Sequence, residues 1–400
     1  MPLFTRRRGL DRCRKKAPRD RDILDRKGKL MAFLEIIDRH IVYANPAPQN
    51  RSRHGYFPGL VKLPSGDLLA MFMLGEAMEA ANVTTVVSRS RDQGRTWSLE
   101  GPIHQKDAEH IHDCDSLKPT LLKDGTLIAT GYRFHRTDPD QTLTNPETDG
   151  VCAGENIVSF SRDEGHTWSH PQVIPATRPE LIEESGPSIQ LARGTILAVG
   201  SLFPMWDGTN PSGALGVLLQ KEAGSETWDD KTTFFDDPTG QFAPSEARLC
   251  EIQPDRVVAL FWMLDHVQGK NVPNHVAVSH DGGRTWSEAM DTGVQGQASN
   301  LMHWKDELLL TIHCHRVGKD IGLYVRLVDF AEDRWRTIEE SLIWDNAPSR
   351  KVAAYATMGQ DLKFGQPSLL RLDNGDILAT HWAIEDGQGK ILTHRLRVKI

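Results

Sequence analysis

No stretch of this 400-residue sequence is apolar for long enough to cross a membrane, and no apolar core follows its basic start as a secretion signal requires. Cysteine is scarce too. The five cysteines (Cys13, Cys114, Cys152, Cys250 and Cys314) are odd in number, scattered and free of CxxC spacing. That pattern argues against a disulfide framework or a structural zinc site and makes a reducing cytoplasm the expected compartment. Hydroxyl residues are nearly missing from residues 1–30, where Thr5 stands alone beside four aspartates, which argues against a transit peptide. What remains is 39% hydrophobic with a mean hydropathy of -0.43, the profile of a soluble globular chain.

Charge is divided unevenly. Residues 1–30 carry twelve Lys or Arg against four acidic residues, so the whole-chain net charge of -7 leaves -15 on residues 31–400. The first thirty residues read as a basic disordered tail, or as a mis-assigned start with the working chain beginning at Met31. An acidic body argues against nucleic acid as a partner, and nothing in the pattern points to a membrane.

The remaining residues are organised by a repeat. Ser90-Arg91-Asp92-Gln93-Gly94-Arg95-Thr96-Trp97 returns as Ser161–Trp168 and as Ser279–Trp286, each time as Ser-x-Asp-x-Gly-x-Thr-Trp after a strand-like run. The pattern suits a hairpin turn in which Asp binds backbone NH groups, Gly takes a positive φ and Trp packs the turn onto its own sheet. A second repeat runs through the whole chain. Six apolar triads (Leu68–Ala70, Leu127–Ala129, Ile196–Ala198, Val257–Ala259, Leu308–Leu310 and Ile377–Ala379) follow turn residues at intervals of about 50–70 residues. Thr227-Trp228 and Trp335 keep the rhythm where the Asp is lost.

Six units of four short strands predict an all-β fold, a six-bladed β-propeller over residues 31–400. Only three strands remain after residue 365, so the run Phe33–Tyr43 is expected to complete the sixth blade and close the ring.

The Ser-x-Asp-x-Gly-x-Thr-Trp element is the Asp-box, or BNR repeat, and the chain resembles the sialidase superfamily. The resemblance implies that the Asp-box aspartates are structural and that the pocket lies where the inner strands converge. It also implies a catalytic Glu at the start of the fourth unit, matched by Ser245-Glu246. The rest of the sialidase pattern is absent. Phe57 or Tyr56 stands where the first arginine of a carboxylate clamp belongs, Phe261-Trp262-Met263 stands where the second belongs, and no arginine in the fifth unit's first strand supplies the third, with Arg316 farther on. Gln366 occupies the place of the nucleophilic Tyr, with Tyr355 out of register, and Glu76 and Glu79 are the carboxyls nearest the missing acid. A bidentate arginine contact is not replaced by Phe or Trp, so the expected activity is glycosidase-like on a glycan or acidic sugar other than a sialoside.

The candidate catalytic residues are therefore Glu246 with a second carboxyl among Asp113, Asp115 and Glu184. Candidate carbohydrate-binding residues are Arg53, His54, Tyr56, Lys118, Arg133, His135, Arg248, Trp262, His313, His315, Gln366 and His381. No cofactor is required by this reading. Two alternatives stand beside it: a non-catalytic glycan-binding propeller, and a metal-assisted site drawn from His110, His112, Asp113, His313, His315 and His381.

Overall fold

The computed structural model describes residues 33–318, 320–345 and 362–399. Six antiparallel sheets stand as blades around a central axis, in chain order. The inner strands are His54–Lys62, Cys114–Leu121, the broken pair Ile182–Glu183 and Ile189–Gln190, Phe242–Gln253, Ser299–Lys305 and Phe364–Arg371. The expected ring closure is present. Leu34–Tyr43 pairs antiparallel with Gln388–Val398 and forms the outermost strand of blade six, with Leu34 opposite Val398.

The apolar triads lie in the second strand of each blade, and their continuity has a plain cause. Leu68–Gly75 and Leu127–Phe134 are buried along their whole length, because a neighbouring blade covers each face. Successive side chains leave a strand on opposite faces, so they serve different seams. Leu68, Ala70 and Phe72 join the seam with blade six beside Leu378 and Trp382, while Leu69 and Met71 join the seam with blade two beside Leu117 and Leu127. In blade five the frame slips by one residue. Leu309 faces the preceding seam and Leu310 the following one, the reverse of Val258 and Ala259 in blade four.

Blade three departs from four strands because its inner strand is interrupted between Glu183 and Ile189. Pro187 cannot donate to the ladder, and Gly186 leaves space for a neighbour: a Cβ there would sit 2.5 Å from Arg248 Cδ.

The three Asp-box turns repeat one hydrogen-bond set. In the first, Gly94 N donates to Ser90 Oγ (2.7 Å), Thr96 N to Asp92 Oδ1 (2.8 Å), and Trp97 Nε1 to Gly94 O (3.1 Å). Gly94, Gly165 and Gly283 all have positive φ, as the turn requires. The Trp does not pack onto its own sheet alone. Trp97, Trp168 and Trp286 wedge into the clusters shared with the preceding blade. Arginines reach across the same seams: Arg89 of blade one donates to Glu164 O (2.9 Å), Arg193 of blade three to Gly282 O (2.9 Å), and Arg395 of blade six to Gln93 O.

Burial opposes ionisation at Asp92, Asp163 and Asp281, but hydrogen bonds from the Thr and Ser of each turn outweigh it and pull all three carboxyls down to about 2. A folded-state value below the unfolded value of about 3.9 stabilises the protein above that pH. The contribution is lost as pH falls from about 4 through 2. In urea denaturation across that window, Asp163→Asn should show a shallower loss of stability with falling pH than the wild type; an unchanged slope would refute the role given to the Asp163 charge.

Candidate active site

A cavity of about 160 Å³ opens where the inner strands converge. Three residues that line it share an uncommon backbone. Phe57, Glu246 and Gln366 occupy matching places on the inner strands of blades one, four and six, with φ of 52°, 46° and 38°. Each sits at a break in strand register: between Tyr56 and Gly59, between Ser245 and Arg248, and between Gly365 and Ser368. Such a bulge redirects a side chain, and a left-handed residue other than glycine costs on the order of 1–3 kcal/mol. Three of them at one mouth mark the place where the fold tolerates strain.

Glu246 is 7% exposed, and its Oε1 accepts a bond from Gln366 Nε2 at 2.9 Å. Its Oε2 has no hydrogen-bond partner and lies 3.9 Å from Arg316 Nη1. Arg316 is fixed by Nε donating to Phe364 O (3.0 Å) and by its N–H donating to Gln297 Oε1 (2.8 Å). The neighbouring carboxyl is Glu183, whose Oε2 accepts from Ser201 Oγ (2.6 Å), Ser245 Oγ (3.2 Å) and Glu246 N (3.4 Å). Burial, and then the Glu246 charge, raise Glu183 well above the usual carboxylate range.

Asp115 lines the cavity from blade two. Burial opposes its ionisation, yet His104 Nε2 at 3.2 Å and Thr85 N at 2.8 Å hold it below its ordinary value. The cavity thus carries carboxyls with opposite tendencies, Glu183 pushed toward its protonated form and Asp115 toward its ionised form. Glu79 also lines it, and among the described residues Arg316 is its only cationic wall residue. Phe57, Met73, Tyr132, Phe134, Phe203 and Trp262 supply apolar and aromatic surface.

Several expected residues lie elsewhere. Glu184 is not on the wall, because it follows Glu183 and is fully buried beneath; burial pushes it up to about 8. Lys118 is likewise buried, donates to Ser116 Oγ (2.8 Å), and is pushed down to about 7 by burial and then by Arg248. Arg248 spends its Nη1 on Ser185 Oγ and the Glu246 and Ala247 carbonyls. Tyr56 packs against Trp382 in the seam, and His54 Nδ1 accepts from Gly389 N, with Arg53 just ahead of that strand.

Arg133 is paired with Glu155, and Asp113 receives His110 and His135, outside the central cavity. The histidines proposed for a metal do not all meet. His313 is buried between Asn274 and Thr311, His315 contacts Arg326 and Tyr324, and His381 lies against His394. Burial holds His313 and His381 well below their usual value, so both are neutral. Tyr355 and the basic segment 1–30 lie outside the described residues.

The family model for the BNR/Asp-box repeat matches residues 277–288. Among solved structures, a protein of unknown function from Dyadobacter fermentans superposes with a TM-score of 0.71 at 19% identity, over 92% of this chain and 100% of that one. The NanB sialidase from Streptococcus pneumoniae gives a TM-score of 0.59 at 12% identity, over 90% of this chain and 69% of that one. The chain carries a BNR/Asp-box repeat on a six-bladed propeller fold similar to that of sialidases. The α-L-arabinanase of Penicillium chrysogenum is similar in fold at 15% identity, with a TM-score of 0.61 over 91% of this chain and 98% of that one. The comparison with curated proteins gives no match.

Glu183 is the lining carboxyl that sequence reading passed over for Glu184. Its proton is held partly by the Glu246 charge. Glu246→Gln should therefore move the Glu183 titration downward, toward but not to the ordinary range, when followed by carbon-13 NMR of labelled carboxyl groups. An unmoved midpoint would mean that burial alone sets it.

Proposed function

We propose that this protein is a glycoside hydrolase acting on a neutral glycan rather than on a sialoside. The observation that carries the reading is Glu246, held in a left-handed conformation at the mouth with one oxygen on Gln366 and the other free of hydrogen bonds. Strain retained at a buried carboxyl, beside a second carboxyl whose hold on its proton is raised, suits proton transfer better than stability.

The choice of sugar follows from charge. Four carboxyl residues (Glu79, Asp115, Glu183 and Glu246) line the cavity against Arg316 alone among the described residues, so an anionic sugar meets net repulsion. Arg133, Arg248 and Lys118, which would have favoured an acidic sugar, are occupied by Glu155, by backbone carbonyls and by Ser116. Phe57 stands where a clamp arginine would be needed, and Trp262 and Tyr132 offer the aromatic surface a neutral ring can pack on.

In the proposed reaction the Glu183–Glu246 pair delivers one proton to the glycosidic oxygen as the bond from that oxygen to the anomeric carbon breaks. A water oxygen bonds to the anomeric carbon, and Asp115 takes the proton that this water loses. The products are a free reducing sugar and the alcohol; Asp115 then releases its proton to solvent as the pair takes one up, which restores the site.

The test is release of aryl alcohol from a panel of aryl glycosides, including arabinosides, other neutral sugars, a uronide and a sialoside. Cleavage of a neutral member is expected, with Glu246→Gln and Asp115→Asn each lowering kcat/KM by about 10²–10⁴-fold. Cleavage of the sialoside, lost in Glu246→Gln, would overturn the choice of substrate. Silence across the panel, with sugar binding retained in Glu246→Gln, would replace hydrolysis by a binding role.

A further inference from the structure

We infer that His110, Asp113 and His135 form a binding site for a divalent transition metal of the zinc class, on the rim of blade two and separate from the central carboxyls. His110 and Asp113 come from the loop that leads from Ser98–Pro102 into Cys114–Leu121, and His135 follows the end of Leu127–Phe134. The three possible ligand atoms all lie within 4.8 Å of one another. His110 Nδ1 and His135 Nδ1 each sit 2.8 Å from the same oxygen, Asp113 Oδ2.

One carboxylate oxygen flanked by two imidazole nitrogens is a donor set that a dication satisfies better than two protons do. A metal ion replaces both N–H groups and lets each ring nitrogen and the oxygen direct a lone pair at one centre. Two nitrogens and one oxygen suit zinc, whereas calcium and magnesium take all-oxygen shells. Ligand atoms around a tetrahedral zinc stand about 3.3 Å apart, from metal–ligand distances of about 2.0–2.1 Å, so a small turn of each ring admits the ion. The side chains of His110 and His135 are 34% and 36% exposed, which leaves them room to turn and leaves water access to a fourth position.

The surroundings support the centre. Asp113 is buried, and its second oxygen accepts Arg136 N at 3.1 Å, which fixes the carboxylate from behind. Arg133 lies 3.8 Å from Asp113 Oδ2 but is bonded through Nε to Glu155 Oε1 at 3.1 Å, so Glu155 offsets its charge, and Lys106 spends its Nζ on the Val83 and Asp113 carbonyls. A small cavity adjoins the group, with His104, His170 and Asp115 on its walls. Asp115 also borders the central cavity, so a bound ion would tie the rim loop to blade two directly beside the carbohydrate pocket.

The experiment is calorimetric titration of the full chain with zinc chloride after chelator treatment, with magnesium chloride as comparator. One equivalent of zinc is expected to bind, magnesium is not, and His110→Ala and His135→Ala should each weaken zinc at least tenfold. Both histidines are part-exposed, and thermal melting of each variant without metal, matched to the metal-free wild type, verifies that the fold is kept. His135→Ala should also remove the visible absorption that cobalt gives in a site with nitrogen ligands. Absence of zinc binding, or binding undiminished in both variants, would overturn the assignment. Panel activity that is silent while zinc still binds would sink the hydrolase reading and leave this one standing.

Discussion

Burial of each blade on both faces is the constraint on which everything else in this ring rests. A second strand such as Leu68–Gly75 has no polar side, so every residue in it must meet a neighbouring sheet. The cores are accordingly shared between blades, and no sheet could be stable with a neighbour removed. The Asp-box serves this arrangement in two steps. Its aspartate and serine set the turn inside one blade, and its carbonyls then receive an arginine from the blade before. Blade five shows that the second step does not need the motif: Arg256 of blade four reaches Phe330 O (3.1 Å) and Asp333 Oδ1 (2.8 Å) where no box exists.

Rigid seams explain how the mouth can hold strained residues. Phe57, Glu246 and Gln366 adopt positive φ on strands that are paired on one edge and packed between blades, so the surrounding ladder determines their conformation. Phe57 is the most telling, because a bulky residue rarely adopts this conformation without a constraint. Around the axis the buried charges are spread over several blades: Lys118 from blade two, Glu184 from three, and Arg248 and Glu246 from four. No single blade carries the site, and its geometry depends on all the seams at once.

The propeller was readable because its signals recur. Six triads and three boxes overdetermine the blade number, and the spare strand at Phe33–Tyr43 dictated the closure seen at Leu34–Tyr43. Blade five was read one residue out of frame because Leu308, Leu309 and Leu310 are alike and nothing in the sequence tells which faces which seam. The site was legible only in part. Glu246 stood out by its Ser-Glu context at the fourth unit, but Glu183 ends the two-residue strand Ile182–Glu183 and Glu184 follows it, a stretch too short for alternation to reveal which one faces inward. Polar density near strand ends also drew in His313 and His381, which are buried in their own blades and hydrogen-bonded there. The pairing of His110 with His135 joins residues from two segments, and no local spacing encodes it.

The closing strand carries a consequence for how the molecule is made. Leu34 pairs with Val398, far from it in sequence, so the last sheet cannot form until the residues through Val398 are available. During synthesis, Leu34–Tyr43 must wait with Ile36, Ile37 and Ile41 uncovered, and even in the finished ring these three remain at least a third exposed. Contacts this distant in sequence make folding slow, and an unpaired strand that waits is open to pairing with the wrong neighbour, including the same strand of another nascent chain. Asp38 and Arg39 interrupt that apolar strand, and their charges discourage such association until Gln388–Val398 arrives.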